Sequence, residues 1–111
     1  FAGNMPQGWT AQLMCASSEK LRDAAFSAAR DLRDRVSAAP DAALLVSCIG
    51  RRMFLGQRTD DEIEAVRDSL GGGVPVTGFY SYGEFAPLSG AGQVELHNQT
   101  MTVMTFSEEC A

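Results

Sequence analysis

The chain lacks the features of membrane-spanning, nucleic-acid-binding and disulfide-stabilised proteins. No apolar run approaches the length of about 20 residues that a membrane-spanning helix needs. The 111 residues carry nine Lys and Arg against 14 Asp and Glu, a net charge of −5. This balance repels nucleic-acid phosphates and anionic lipid surfaces. The three cysteines are odd in number and widely spaced, which is typical of reduced thiols. We therefore expect a cytoplasmic protein that binds neither nucleic acid nor membrane.

Histidine is also scarce, and its scarcity argues against a structural metal site. His97 is the single histidine of the chain, and no cysteine or histidine pair has the spacing of zinc ligands. A lone histidine is commonly hydrogen-bonded to nearby backbone, although haem needs only one protein donor and an apolar slot. We therefore expect no bound metal ion. His97 is a candidate ligand of a metal only if that metal is the iron of a bound haem.

Strand-like segments do occur, and they alternate with helix-like ones. Residues 9–15 have the pattern of a first strand, and residues 42–49 are apolar nearly throughout, as in a central strand covered on both faces. A third strand is predicted at residues 74–79. Residues 99–106 alternate strictly and predict a last strand.

Two amphipathic helices are predicted between the first three strands. The first is capped by Ser17 or Ser18 and ends before Pro40, and Asp31 and Arg35 would form an i,i+4 pair on its wetter side. The second begins at the capping-box sequence of residues 59–62 and ends at Gly71, where the left-handed conformation is easily adopted.

The order of these segments predicts an α/β fold in one domain. We expect roughly four strands in a mostly parallel or mixed sheet, with two crossover helices. Residues 85–93 lack periodicity and contain proline and glycine, so they predict a long loop before the final strand. The unpaired edges of so small a sheet make homo-oligomers possible.

Polar and aromatic side chains follow two of the predicted strands, at the edge of the sheet where ligands usually bind. Arg51 and Arg52 follow the central strand, and Tyr80, Tyr82 and Glu84 follow the third. A guanidinium beside a carboxylate suits a zwitterion, because Arg51 would grip its carboxylate and Glu84 would accept its ammonium. The alternative is that Arg51 and Glu84 pair with each other and tie two loops together.

The last polar cluster of the chain has two interpretations as well. His97, Asn98 and Thr100 either face the ligand or close a turn. Cys48, with His97 and Glu84, also supplies the residue types of a nucleophile, a base and an orienting group. A thiol inside an apolar strand is inert, however, so a cysteine-dependent hydrolase is only an alternative.

Several segments together resemble a known family. They are SCIGRRMFLG at 47–56, TDDEIEAVRDSLG at 59–71, GFYSYGEF at 78–85 and LHNQTMTV at 96–103. In this order and spacing they resemble the C-terminal part of a FIST domain, an intracellular sensory module. The resemblance covers about residues 42–108, and it implies that residues 1–111 are one domain segment of a larger protein.

The resemblance also implies a function. It suggests a small-molecule sensor of the cytoplasm, with an amino acid or similar polar ligand, and haem in a gas-sensing branch. Its expected partners are an N-terminal FIST half and downstream or partner signalling domains. We therefore predict a ligand-binding module, not an enzyme, with Arg51, Tyr80, Tyr82, Glu84, His97, Asn98 and Thr100 as ligand-binding residues. The alternatives are a haem-binding gas sensor and the cysteine-dependent hydrolase.

Overall fold

Helices cover one face of a small mixed sheet, and a separate hairpin lies beside it. The computed structural model describes residues 4–87 and 92–108. Its elements are α1 (Ser18–Arg33), β1 (Ala42–Cys48), α2 (Ile49–Leu55), a 3-10 turn (Gly56–Arg58), α3 (Thr59–Leu70), β2 (Val76–Ser81), β3 (Glu84–Pro87), β4 (Val94–His97) and β5 (Met101–Phe106).

The three-stranded sheet has the order β2-β1-β5, with β1 parallel to β2 and antiparallel to β5. The predicted α/β fold with a mixed sheet is therefore confirmed, and β1 is its central strand. The predicted four-strand arrangement is not what the structure shows, because β3 and β4 form a hairpin of their own. Part of the predicted loop is in fact β3, and residues 88–91 lie outside the described residues.

The predicted first strand is absent, and this prediction was wrong. Residues 9–15 have no strand structure, and every residue from 4 to 16 is exposed. An alternating pattern makes a strand only where a neighbouring strand supplies hydrogen-bond partners. Among the residues that the structure describes, no strand pairs with this segment.

The first helix begins as predicted and ends earlier. Ser17 caps α1, since its side chain accepts a hydrogen bond from the Lys20 backbone N–H at 3.2 Å. The helix ends at Arg33, well before Pro40. Arg35 therefore lies beyond the helix, so the predicted pair with Asp31 loses its i,i+4 geometry.

The second predicted helix corresponds to α3, but the capping box is wrong. Arg58 occupies the N-cap position, and the Thr59 hydroxyl donates to the Gly56 carbonyl at 2.6 Å. The preceding 3-10 turn already leads into the helix, and Glu62 turns into the protein interior. Gly71 ends α3 in the left-handed conformation with φ of 107°, which confirms the predicted C-terminus.

The core lies between the helices and one face of the sheet. Its buried residues come from α1, β1 and α3: Ala25, Ala29, Ala43, Leu45, Val66 and Leu70. Alternate residues of β1 are only partly buried, and Phe79, Met104 and Phe106 are exposed. The expectation that β1 is covered on both faces is therefore wrong, because α1 and α3 both pack on the same side.

Candidate functional site

The carboxyl end of β1 leads directly into α2, and this turn decides where Arg51 points. Cys48 is the N-cap residue of α2, so Arg51 falls on the first turn of the helix and faces inward. Its side chain is only 3% exposed. A side chain of this length is rarely buried unless its charge is paired.

Arg51 pairs with Glu62 of α3, not with Glu84. Its Nε lies 2.8 Å from Glu62 Oε2, and the Glu62 side chain is fully buried. The other guanidinium nitrogens donate to the Leu21 carbonyl at 2.8 Å and to the Gln99 carbonyl at 3.5 Å. Arg51 thus ties α2 to α1, to α3 and to the turn between β4 and β5. The alternative in which Arg51 and Glu84 pair with each other is therefore wrong.

The Glu62 carboxylate also accepts hydrogen bonds from both parallel strands. Ser47 Oγ donates to Oε1 at 3.1 Å, and the Tyr80 hydroxyl donates to the same oxygen at 3.3 Å. Burial, together with the negative charge of Glu62, raises the pKa of Tyr80 to about 12. Arg52 lies over the Tyr80 ring, with 5.2 Å from its guanidinium carbon to the ring centroid.

Glu84 lies at the start of β3, in a second polar cluster. Thr100 Oγ1 donates to Glu84 Oε2 at 2.7 Å, and the Glu84 side chain is buried, with 4% exposed. Its other oxygen, Oε1, is also buried and has no hydrogen-bond partner among the described residues. Buried polar atoms are nearly always hydrogen-bonded. An orphaned carboxylate oxygen at this edge is therefore the feature of the structure that points to a ligand.

His97 stands opposite Glu84 in the hairpin register. Its Nε2 lies 2.8 Å from the Ala86 carbonyl oxygen, so this nitrogen is occupied by the hairpin backbone. Haem ligation through Nε2 would require that hydrogen bond to break. Tyr82 is 90% exposed, and Asn98 is exposed in the turn before β5.

Cys48 does not have the surroundings of a catalytic nucleophile. Its side chain is buried at the end of β1. Glu84 accepts a hydrogen bond from Thr100, and in the described part of the chain it makes none to His97. Within the described residues, 4–87 and 92–108, no group of three or more His, Cys, Asp and Glu side chains could hold a metal ion.

An open groove runs along the outer edge of β5. Its volume is about 520 Å³, and apolar residues of its lining come from α1 (Ala28, Leu32), β3 (Ala86, Pro87) and β5 (Met101, Val103). The charged Asp31 and Arg35 and the polar Thr102 line it as well. His97 and Thr100 lie at its hairpin end. We call this cavity the β5 groove.

Comparison with known proteins identifies the family. The model of the FIST C domain matches residues 1–87, which include β1, α3, β2 and the Glu84 carboxylate. The chain belongs to the FIST C domain family. This confirms the family that the sequence resembles, although the matched residues begin earlier than residue 42 and do not include the segment at 96–103. FIST domains are small-ligand sensory domains of signalling proteins rather than catalytic domains.

The FIST C chain also resembles uncharacterized proteins of Mycobacterium tuberculosis, from the CDC 1551/Oshkosh and H37Rv strains. Each is 36% identical over 94 residues, which cover 78% of this chain and 24% of the relative. The chain thus spans about a quarter of the length of these relatives. No solved structure matches it significantly. Among the described residues of this FIST C chain, no helix is long and apolar enough to cross a membrane.

The structure brings together some of the predicted site residues and adds others. Arg51 and Tyr80 meet on Glu62, while Glu84, Thr100 and His97 gather at the hairpin. Glu62 was not among the predicted site residues, and Arg52 was expected at the same edge as Arg51 but was not assigned to the ligand. Glu62 was interpreted as a capping residue, and no local pattern distinguishes a capping glutamate from one that turns inward.

Proposed function

We propose that this FIST C chain binds a small polar molecule, an amino acid or a similar zwitterion, by non-covalent contacts. The observation that carries this proposal is the buried Oε1 of Glu84, for which residues 4–87 and 92–108 supply no hydrogen-bond partner. A buried acceptor without a donor is unfavourable by about 1–3 kcal/mol, and by more when it is charged. A ligand ammonium that donates to Oε1 would remove this penalty on binding.

The geometry around Glu84 favours a cationic donor. Thr100 holds the second carboxylate oxygen at 2.7 Å and so limits rotation of the carboxylate. Arg51 in turn donates to the Gln99 carbonyl, the residue next to Thr100. In the proposed site Arg51 therefore acts as a positioning residue that holds the turn carrying Thr100.

Arg52 is the guanidinium we assign to the carboxylate of the ligand. It follows Arg51 on α2, is exposed, and makes no ion pair with the residues that the structure describes. Its position over the Tyr80 ring limits its conformations, and a preorganised guanidinium binds a carboxylate in a bidentate fork. Tyr82, His97 and Asn98 would complete the site from the β2–β3 connection and the hairpin.

The proposal includes the cellular setting of the domain. We place it in the cytoplasm, which fits the free thiols of Cys15 and Cys48. The signal that ligand has bound would be passed to an N-terminal FIST half and to attached or partner signalling domains. These parts are consistent with relatives about four times as long as the matched segment.

Calorimetric titration of the chain with each of the common amino acids tests the proposal. We expect one or a few of them to bind. Glu84→Gln places an amide in the same space and should weaken binding by about 1.5–3 kcal/mol, the value of a charged hydrogen bond. Arg52→Met should cause a similar loss.

The matched control is Glu95→Gln, which makes the same change on an exposed residue of the same hairpin. It should leave affinity unchanged, and circular dichroism should show all three variants folded. Absence of binding by every amino acid would refute the amino-acid ligand. Equal affinity of Glu84→Gln and the unmodified chain would remove Glu84 from the site.

A further inference from the structure

The segment before α1, residues 9–15, has the pattern of a strand, but it pairs with no strand among the described residues. In residues 9–15, Trp9, Ala11, Leu13 and Cys15 occupy one set of alternate positions, with Thr10, Gln12 and Met14 between them, and no residue from 4 to 16 is charged. Leu13 is 96% exposed. Water contact with such a row of apolar side chains is unfavourable. The segment is therefore stabilised wherever it can pair with an open strand edge and bury its apolar side chains in a groove.

The outer edge of β5 offers such a place. The Cys48 N–H donates to the Thr100 carbonyl at 3.0 Å. Cys48 and Thr100 are therefore a hydrogen-bonded pair of the antiparallel ladder, and every second residue of β5 from Thr100 onward points its N–H and C=O groups toward β1. In an antiparallel ladder, alternate residues point their N–H and C=O groups away from the partner strand. For β5 these residues are Met101, Val103 and Thr105. The β5 groove lies along this edge.

The topology places a strand at the same edge. β1 and β2 are parallel and joined through α3, and α1 packs on the same face of the sheet as α3. Parallel crossovers are right-handed in nearly all proteins. A strand that precedes α1 and runs parallel to β1 therefore belongs on the side of β1 away from β2. β5 already occupies the first position there, so the free position is beyond β5.

We propose that residues 9–15 of a second copy of this chain occupy the β5 groove and pair antiparallel with β5. The exchange is reciprocal, so one twofold axis satisfies both edges and closes the dimer. Seven residues extend about 23 Å and the six of β5 about 20 Å at the usual strand rise. Apolar side chains of the segment would contact Ala28, Leu32 and Val103.

A second copy is the occupant because the segment of the same chain does not fill its own groove. In the single chain, residues 4–16 extend into solvent and the groove along β5 stays open. Neither residues 9–15 nor β5 carries a charge, and the two charged residues that line the groove, Asp31 and Arg35, are of opposite sign. Two chains with a net charge of −5 can therefore meet at this contact without like charges facing each other. This proposal is independent of the ligand proposed above.

Sedimentation velocity of the 111-residue chain at micromolar concentrations tests this dimer. We expect a species of twice the 11.9 kDa chain mass. Leu13→Asp puts a charge into the exchanged strand and should leave only the monomer, and Trp9→Asp should do the same. Both side chains are exposed in the single chain, so neither change should unfold it. Met53→Asp, on an exposed residue of α2, is the control and should preserve the dimer.

Amide hydrogen exchange identifies which edge is covered. In the dimer the outward N–H groups of Val103 and Thr105 should be protected, and in Leu13→Asp they should lose that protection. A chain that is monomeric at all concentrations would overturn the proposal. A dimer unaffected by Leu13→Asp and Trp9→Asp would also overturn it. Protected Val103 and Thr105 amides in a monomer would show that the segment of the same chain is the occupant, which likewise excludes strand exchange.

Discussion

Arg51 and Glu62 form a buried ion pair that joins α2 to α3, with 2.8 Å between Nε and Oε2. The pair is part of a larger network, because Ser47 and Tyr80 also donate to the carboxylate. A buried ion pair adds little net stability over apolar residues of similar size, but the loss of one partner leaves a buried charge without compensation. Removal of either Arg51 or Glu62 alone should therefore destabilise the fold, because the other charge would stay buried without a partner.

Glu62→Leu should lower the free energy of unfolding by about 3–5 kcal/mol, because Arg51 would remain buried and unpaired. Urea denaturation followed by circular dichroism measures this loss. The double variant Arg51→Met, Glu62→Leu should recover most of it. Arg22→Met breaks an exposed pair with Asp23 and should change stability by less than about 1 kcal/mol. A Glu62→Leu protein as stable as the original would contradict the importance of the network.

The Tyr80 hydroxyl should ionise only at strongly alkaline pH. Its pKa is raised to about 12 from 10.0, mainly by burial and then by Glu62. Because the native state holds this proton more tightly than the unfolded state, the resulting stabilisation is complete below pH 10 and is lost as pH rises through 12. Phenolate absorbance should follow Tyr80 alone in the Tyr82→Phe variant. Adding Glu62→Gln should lower the pKa of Tyr80, and an unchanged titration would show that Glu62 has no part in the shift.

Gly78 should not tolerate a side chain. It pairs with Leu45 across β1 and β2, and a Cβ at this position would overlap the Leu45 carbonyl oxygen. Because strand backbone gives way with difficulty, Gly78→Ala should destabilise the protein by about 1–3 kcal/mol or more. Gly73→Ala is the control, since its Cβ would come no closer than 3.9 Å to the Gly71 carbonyl oxygen. Equal melting temperatures of the two variants would contradict the close approach of β1 and β2.

The Glu19 carboxylate should keep its charge in acid. A hydrogen bond from its own backbone N–H and another from Arg58 lower its pKa from 4.5 to about 2. The corresponding stabilisation is present above pH 4.5 and is lost as pH falls through 2. In a carboxyl titration by NMR, Arg58→Met should raise the pKa of Glu19 part of the way back. Arg22→Met should not move it. A Glu19 titration indifferent to Arg58 would assign the whole shift to local backbone.

The candidate site was predictable only in part. Arg51, Tyr80 and Glu84 were expected together at the carboxyl edge because they follow two strands that are indeed parallel. The partner of Arg51 was not predictable, since Glu62 lies 11 residues away on another helix. Only the angle at which α2 leaves β1 decides that Arg51 points inward to Glu62. The same angle leaves the neighbouring Arg52 in solvent.

The amino-acid sequence by itself determined the elements whose signals are local. Ser17 caps a helix, Gly71 ends one, an apolar run forms β1 and an alternating segment forms β5, because caps and periodicity depend on residues only a few positions apart. The tertiary structure alone decided which strands pair, which face of β1 is covered, and whether residues 9–15 form a strand. Those outcomes depend on edges and surfaces contributed by residues distant in the chain. A strand pattern without a neighbouring edge stays exposed, as Leu13 does.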